Sequence, residues 1–349
     1  MNKKVTALLL CMVMLLTSAC QDTGNETTST LETDPAETSE TTSESTEETT
    51  EETTAELTPG IELSGNPDDI IPIDQSTYYE GDNYILYFER GAEIHGDIAV
   101  QIESIMEDLE SFYGMSFDFR EYADPVSWKT DYGFAHLGRV NEDCSKIDII
   151  ISKDYQDGRI EWSLPNVVML FDTDLVPSVQ DHGIVYHELT HILRTRQSPM
   201  LGKILEEGLA CYSQDHFTRA GGESNWTMIQ YVDSGNFSSS FDDSVIVNDP
   251  EGFFREANVG GRSGEQPEYH YGFRFVTFLI DTYGVGIVDT LNKNARGRDF
   301  SEEDNDTIIE IIKESTSDDV FERFATWLPD GWRNWSDSYI SYMQSLGLL

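Results

Sequence analysis

Apolar residues recur along this chain with two different periods, and the change between them divides it. In Tyr84–Glu89 (YILYFE) aromatic and β-branched residues crowd together, which favours an extended strand. From Ile98 the spacing widens. Ile98, Ile102, Ile105, Leu109 and Phe112 recur every three or four residues and Gly114 follows, which predicts a helix ending there. Ile147, Ile149 and Ile151 alternate with polar neighbours in KIDIIIS, the signature of a half-buried strand, and Val167–Phe171 (VVMLF) is a further strand. Past residue 200 helical spacing takes over, around Glu207, in YHYGFRFVTFLIDTYG, in IVDTLNK and in a Trp-rich end. Trp327, Trp332 and Trp335 suggest sugar stacking, but Trp332, Trp335, Tyr339 and Tyr342 fall at helical spacing, which predicts a terminal helix packed on the core. No repeat of fixed period is present. The pattern reads as α+β: a small twisted sheet with helices, then a mainly helical half.

The start of the chain reads differently. MNKK is basic, VTALLLCMVMLL is a short apolar run, and TSAC follows; this is a signal peptide over residues 1–19 rather than a membrane-spanning helix. Thr17-Ser18-Ala19-Cys20 resembles the bacterial lipobox, with Thr17 standing where Leu is usual. The resemblance implies lipidation of Cys20, hence anchoring at the outer face of the cytoplasmic membrane; simple secretion after cleavage at Ala19 is the alternative. Residues 20–76 form a Thr/Ser/Glu-rich tether that has too little apolar surface to fold. Between 21 and 60 there are twelve acidic and no basic residues, so the tether carries −12 of the net charge of −43. Self-repulsion extends it, to a coil dimension of roughly 40 Å. With 65 acidic against 22 basic residues there is no basic patch for phosphates, which argues against nucleic acid as a partner. Of the four cysteines only Cys144 and Cys211 remain in the mature globular part, and whether they pair is left open.

The chemistry concentrates in VYHELTH. His187 and His191 stand four apart on a predicted helix, so their rings lie on one face, one turn apart, and can converge on one metal ion. Glu188 sits beside them, where a carboxylate can take a proton from water. Downstream, ILEEGLACY supplies a third ligand, a carboxylate from Glu206 or Glu207; two histidines and one carboxylate leave a fourth position open, as a catalytic zinc site requires. Ser198-Pro199 is a helix-start signal for the segment carrying these glutamates. Gly208 and Ala210 are small, which lets that helix pack close to the histidine helix.

HELTH followed by EEGLACY resembles the gluzincin branch of zinc metallopeptidases, over residues 184–212 in detail and residues 77–349 in layout. In aminopeptidases of that branch the Glu preceding a Gly is the third ligand, so the resemblance selects Glu207 over Glu206. It implies a zincin-like fold, with an α/β subdomain over 77–196, a mainly helical subdomain over 197–349, and the zinc cleft between them. VVMLF is then the strand bordering the cleft, where a peptide could add as a strand. The family also places a Tyr or His from the helical half at the oxyanion. EYHYGFRF offers Tyr269, His270 and Tyr271, and Tyr271 is favoured because it precedes a Phe-x-x-Phe-Leu-like pattern closed by Tyr-Gly. No Gly-x-Met-Glu-Asn string is present, so the lean is toward an endopeptidase acting on a peptide or protein substrate with Zn2+ as cofactor. The alternatives are a zincin-fold binding or adhesion lipoprotein without activity and a zinc hydrolase acting on peptidoglycan peptides.

Asp172, Asp174 and Asp181 are candidates to orient the histidine rings. His182 belongs to the approach of the helix, and His95, His136 and His216 read as structural or surface residues. The acidic runs at 301–307 and 241–252 match no EF-hand spacing and read as solvated loops or helix caps rather than calcium sites.

Overall fold

The computed structural model describes residues 58–59, 73–123, 144–153, 162–164, 166–175, 182–223, 225–233, 243–258 and 267–349. The signal peptide, Cys20, nearly all of the tether, His136 and Asp181 lie outside the described residues. Six strands form one mixed sheet: β1 (Thr58–Pro59), β2 (Ile73–Glu80), β3 (Tyr84–Glu89), β4 (Ile147–Ser152), β5 (Trp162–Leu164) and β6 (Val167–Phe171). They are hydrogen-bonded in the order β1-β2-β3-β4-β6-β5. β3, β4 and β6 run parallel at the centre, while β5 pairs antiparallel with β6.

Two strand expectations need correction. The alternation in KIDIIIS predicts a half-buried strand, yet all six residues of β4 are buried, including Asp148 and Ser152. Successive side chains point to opposite faces, so both faces of β4 are covered. Its polar residues are accommodated inside: Ser152 Oγ donates to Glu89 Oε2 at 2.6 Å, and Asp148 stands beside the Tyr87 hydroxyl. The second concerns the cleft-bordering strand. β6 has β4 on one side and β5 on the other, so it offers no open edge; the outermost strand on this side is β5.

The helices follow the sequence periodicity closely. α1 (Ile98–Tyr113) ends where Gly114 takes a left-handed φ of 64° and donates to the Glu110 carbonyl. α2 (Gly183–Gln197) carries the HELTH residues, and 12 of its positions are buried, because the sheet, α1 and α3 (Lys203–Gly221) enclose it. α3 begins at Lys203 and not at the Ser198-Pro199 signal. The reason is Arg194: its guanidinium donates to Ser198 Oγ at 2.7 Å and to the Pro199 carbonyl at 2.8 Å, pinning residues 198–202 as a loop. Gly202, at φ 82°, then turns the chain into α3.

The helical half continues through α4 (Asp243–Asn248), α5 (Pro250–Asn258), α6 (Pro267–Tyr283), α7 (Ile287–Ala295), α8 (Asn305–Ser315) and α9 (Val320–Ser345). Asp304 of the acidic run caps α8 by accepting from the Thr307 N–H, and Asp249 accepts from the Gly252 N–H. Trp332 and Tyr339 of α9 are fully buried, with Trp332 Nε1 donating to the Tyr231 carbonyl at 3.2 Å, as expected of a terminal helix on the core. α3 and α6 meet glycine to glycine. A Cβ on Gly208 would lie 2.3 Å from the Gly272 carbonyl oxygen, and one on Gly272 would lie 2.4 Å from the Ile204 carbonyl oxygen. The small residue beside Glu207 thus serves contact with α6, not with the histidine helix as the sequence suggests. Cys144 and Cys211 are both buried and not joined in a disulfide. Among the described residues no helix is long and apolar enough to cross a membrane.

Candidate metal centre

His187 and His191 face α3 from one side of α2, and Glu207 reaches back from the first turns of α3. The three Nε2 and carboxylate atoms form a small triangle: His187 Nε2 to His191 Nε2 is 3.3 Å, His187 Nε2 to Glu207 Oε2 is 3.4 Å, and His191 Nε2 to Glu207 Oε2 is 3.5 Å. These lengths discriminate. Three ligands each about 2.0–2.1 Å from a tetrahedral zinc stand about 3.3 Å apart. Glu207 Oε2 is buried, and within the triangle it has no geometry good enough to count as a hydrogen bond. The donor set therefore fits a zinc ion by type and by spacing, and among the described residues it is the one cluster of three metal-ligating side chains.

The electrostatics of the triangle couple its members. Burial works against a charged His191, but the Glu207 carboxylate beside it prevails and lifts the imidazolium pKa to about 9. Burial likewise works against a charged Glu207, yet His191 and His187 hold its carboxyl far below the usual carboxylate range. Glu207 is thus an anion under all ordinary conditions, ready to bind a cation. Glu188, next along α2, is buried, and its charge is felt by His191, Cys211 and Tyr269.

Glu206, the neighbouring carboxylate, is committed elsewhere. It is buried against Arg194, which donates from Nε to Oε2 at 2.8 Å and pairs with Oε1 through Nη2; Oε1 also accepts the Leu201 N–H at 2.9 Å. Arg194 in turn reaches Ser198, and Ser198 Oγ reaches Asn292 Oδ1 at 3.0 Å. This ion pair ties the start of α3 to the end of α2 and so sets where Glu207 meets the histidines. Sequence reasoning missed it, because Arg194 and Glu206 stand twelve residues apart on different helices with a loop between them.

Of the three α6 candidates, the geometry turns one toward the triangle. The Tyr269 ring lies nearly parallel to that of His187, centroids 6.4 Å apart. Burial and then the charge of Glu207, followed by Cys211 and Glu188, push its phenol pKa well above the ordinary value, so the hydroxyl stays a proton donor. Tyr271, favoured from the sequence, is corrected. It is fully buried between Phe253, Phe254 and Phe324, and its hydroxyl donates to the Pro250 carbonyl at 2.9 Å. Two residues along a helix is about 200°, so Tyr269 and Tyr271 point to opposite sides. His270 packs edge-on against Tyr231, and burial, helped by Arg274, lowers its pKa to about 3, leaving it neutral.

Two of the three acidic candidates for ring orientation, Asp172 and Asp174, are engaged elsewhere. Asp172 accepts the Glu93 N–H at 2.7 Å, and Asp174 accepts the Phe171 N–H at 2.7 Å. His187 Nδ1 is buried without a hydrogen-bond partner among the described residues. His182 stands at the N-cap of α2, its ring Nδ1 2.8 Å from Glu223 Oε1 and its backbone N–H donating to Glu223 Oε2 at 3.0 Å. It positions the helix and not the metal, as expected. His216 is packed against Phe112, ring centroids 4.2 Å apart.

No family model and no curated protein matches this chain. Among solved structures it is similar to a mutant M1 zinc metallopeptidase from Deinococcus radiodurans, with a TM-score of 0.40 and 11% identity over 78% of this chain and 51% of the other. It is also similar to a functionally unknown conserved protein from Bacillus anthracis str. Ames, with a TM-score of 0.37 and 12% identity over 78% of this chain and 52% of that one. A mutant of that protein gives a TM-score of 0.37 at 13% identity, with the same coverage. The chain thus spans about half the length of these structures. At such TM-scores the likenesses carry nothing about activity, and the site is read from its own geometry.

Proposed function

We propose that this chain is a zinc-dependent peptidase with gluzincin-type chemistry. The observation that carries the reading is the triangle of His187, His191 and Glu207 with edges of 3.3, 3.4 and 3.5 Å, the spacing of ligands on a tetrahedral ion with one position open. His187, His191 and Glu207 would hold the zinc ion, which would supply Lewis acidity toward a water and the scissile carbonyl. Glu188, one residue from a ligand and buried beside the triangle, takes the proton of the attacking water and returns it to the leaving amine. Tyr269 keeps its proton and donates a hydrogen bond to the oxyanion that develops on the carbonyl. An extended peptide pairs with the outer edge of β5, the sheet edge nearest the histidine helix in the strand order. Residues 77–196 and 197–349 supply the two walls of the site. Cys20 is the lipid attachment point, and the acidic tether holds the enzyme off the outer face of the cytoplasmic membrane, where peptides and proteins are its substrates.

The test is the zinc-loaded protein incubated with a diverse peptide mixture and read by mass spectrometry, beside Glu188→Gln and a chelator-treated control. New peptide termini that appear only in the untreated wild type support the reading. One zinc bound per chain with no cleavage of any peptide would sink it, leaving a metal-binding adhesion protein or a hydrolase for peptidoglycan peptides.

A further inference from the structure

Glu268 stands one residue before Tyr269, in the first turn of α6, and the proposed hydrolysis makes no use of it. The glycine crossing fixes its place. A Cβ on Gly272 would lie 2.4 Å from the Ile204 carbonyl oxygen and 3.0 Å from the Gly208 nitrogen, while one on Gly208 would meet Gly272 and then Val276. Contacts that advance along both helices together mean that α3 and α6 run in the same direction, so their starts lie side by side. Glu268 is four residues, about one turn, before Gly272 on the same face. That turn faces the start of α3, and the charges of Glu207 and Lys203 both register on Glu268.

A first-turn glutamate ordinarily lies in water and complements the helix dipole, which lowers its pKa. Glu268 does neither. It is half-buried, and burial raises its carboxyl pKa against the bond from its own N–H; the Glu207 charge adds to the rise and Lys203 opposes it. Among the described residues its carboxylate has no hydrogen-bond partner beyond that N–H. Nor does it join the metal ligands: the atoms within 4.8 Å of one another belong to His187, His191 and Glu207. Glu207 and Glu188 together balance the two charges of a zinc ion held in the triangle, and Glu268 brings one negative charge more. A half-buried carboxylate left without a counter-charge is costly, and a cation arriving with the substrate offsets that cost.

We infer, on the peptidase reading, that Glu268 selects substrates carrying a Lys or Arg side chain beside the scissile bond. Tyr269, which donates to the scissile carbonyl in that reading, is its neighbour in the chain, so a substrate residue flanking the carbonyl faces the adjoining position of α6. An internal peptide bond brings no free amino terminus to the cleft, so the cation is a side chain. Lys and Arg carry theirs on long stems that reach past the ligands to the next side chain of the wall.

Peptides blocked at both ends and identical except for Lys, Gln or Glu beside the cleaved bond test this in the full chain, through ratios of kcat/KM. Wild type should prefer the Lys peptide over the Gln peptide by about tenfold or more. The ratio should fall to near one in Glu268→Gln and turn toward the Glu peptide in Glu268→Lys; being a ratio within one protein, it does not depend on the fraction folded. Calorimetric affinities for zinc-loaded Glu188→Gln, with and without Glu268→Gln, should follow the same order without turnover. Because the net charge of −43 attracts any cationic peptide, a peptide with its Lys moved four residues away is the control, and it should lose the preference. Equal cleavage of the Lys and Gln peptides by wild type would overturn the inference. So would a preference that survives both substitutions, persists in the moved-Lys control or arises only when the amino terminus is free. If no peptide is cut, the peptidase reading fails on its own, and the inference then stands only if the calorimetric preference for Lys disappears with Glu268.

Discussion

The glycine contact between α3 and α6 makes a prediction that separates metal binding from catalysis. Gly208 follows Glu207, the proposed third ligand, and Gly272 lies three residues past Tyr269, so this crossing sets the distance between carboxylate and phenol. In Gly208→Ala the new methyl would start 2.3 Å from the Gly272 carbonyl oxygen and 2.8 Å from Val276 Cγ2, where ordinary contact begins at 3.4 Å. The helices must part by about 1 Å. Which helix yields is decided by the anchors. α3 is tied to α2 through the buried Arg194–Glu206 pair, so Glu207 stays with the histidines and α6 moves, taking Tyr269 with it. Alanine gains about 1 kcal/mol of helix propensity over glycine, and overpacking costs about 1–3 kcal/mol. The net loss of stability is therefore small, at most about 2 kcal/mol. A displacement of about 1 Å in a group that acts on the transition state costs on the order of 10²-fold in kcat. The assay is kcat on a cleaved peptide beside zinc affinity by competition with a chromophoric chelator. A fall in kcat with zinc affinity and fold retained is expected. If kcat holds, or falls only in step with lost zinc, the assignment of Tyr269 and of this crossing is refuted.

Glu206→Gln should destabilise the protein by about 3–5 kcal/mol, since it leaves the Arg194 charge buried without its partner, and should weaken zinc binding because the start of α3 is released; thermal melts with and without zinc read both. Tyr269→Phe should lower kcat by about 10²-fold or more at unchanged zinc affinity. Tyr271→Phe should leave kcat alone and cost about 1 kcal/mol through its lost bond to Pro250, and steady-state kinetics on the pair checks the correction between them. Burial disfavours the charge on Glu223, but its bonds from His182 outweigh that and its pKa lies below the ordinary value. A depressed carboxylate pKa stabilises the fold above the unfolded value and is lost as pH falls through the folded one. Denaturant melts of wild type and Glu223→Gln should therefore differ by about 1 kcal/mol at pH 7 and converge at acid pH, below about 4; a constant gap down to pH 3 would refute the pairing.

Where a feature of this molecule rests on neighbours within one turn of chain, its sequence reports it. His187 and His191 share a face because four residues make roughly one turn, and α1 ends at Gly114 because that position needs a left-handed φ. Where it rests on partners far along the chain, local signals mislead. Ser198-Pro199 has the composition of a helix start, but Arg194 captures both residues and delays α3 to Lys203. Alternation in KIDIIIS is real, yet whether Asp148 meets water depends on what covers the second face of the sheet. Between Glu206 and Glu207 only a string resemblance could choose, since the buried partner of Glu206 lies twelve residues back.

Tyr269 shows that some of the rest was recoverable. A glycine in the middle of a strongly apolar helix such as α6 marks the close approach of another backbone. Gly272 is that residue, and α3 is what approaches it. Residues three and four before it lie on the same face, which selects Tyr269 and Glu268, whereas Tyr271 is adjacent and turns away. Taking Gly272 as the contact, rather than matching the aromatic string, puts Tyr269 and not Tyr271 on the contact face from sequence alone; that α3 and Glu207 lie opposite it comes from the fold. The same rule makes Glu268 the second α6 side chain aimed at this end of α3. Burial raises its carboxyl pKa, and the charge of Glu207 adds to the shift.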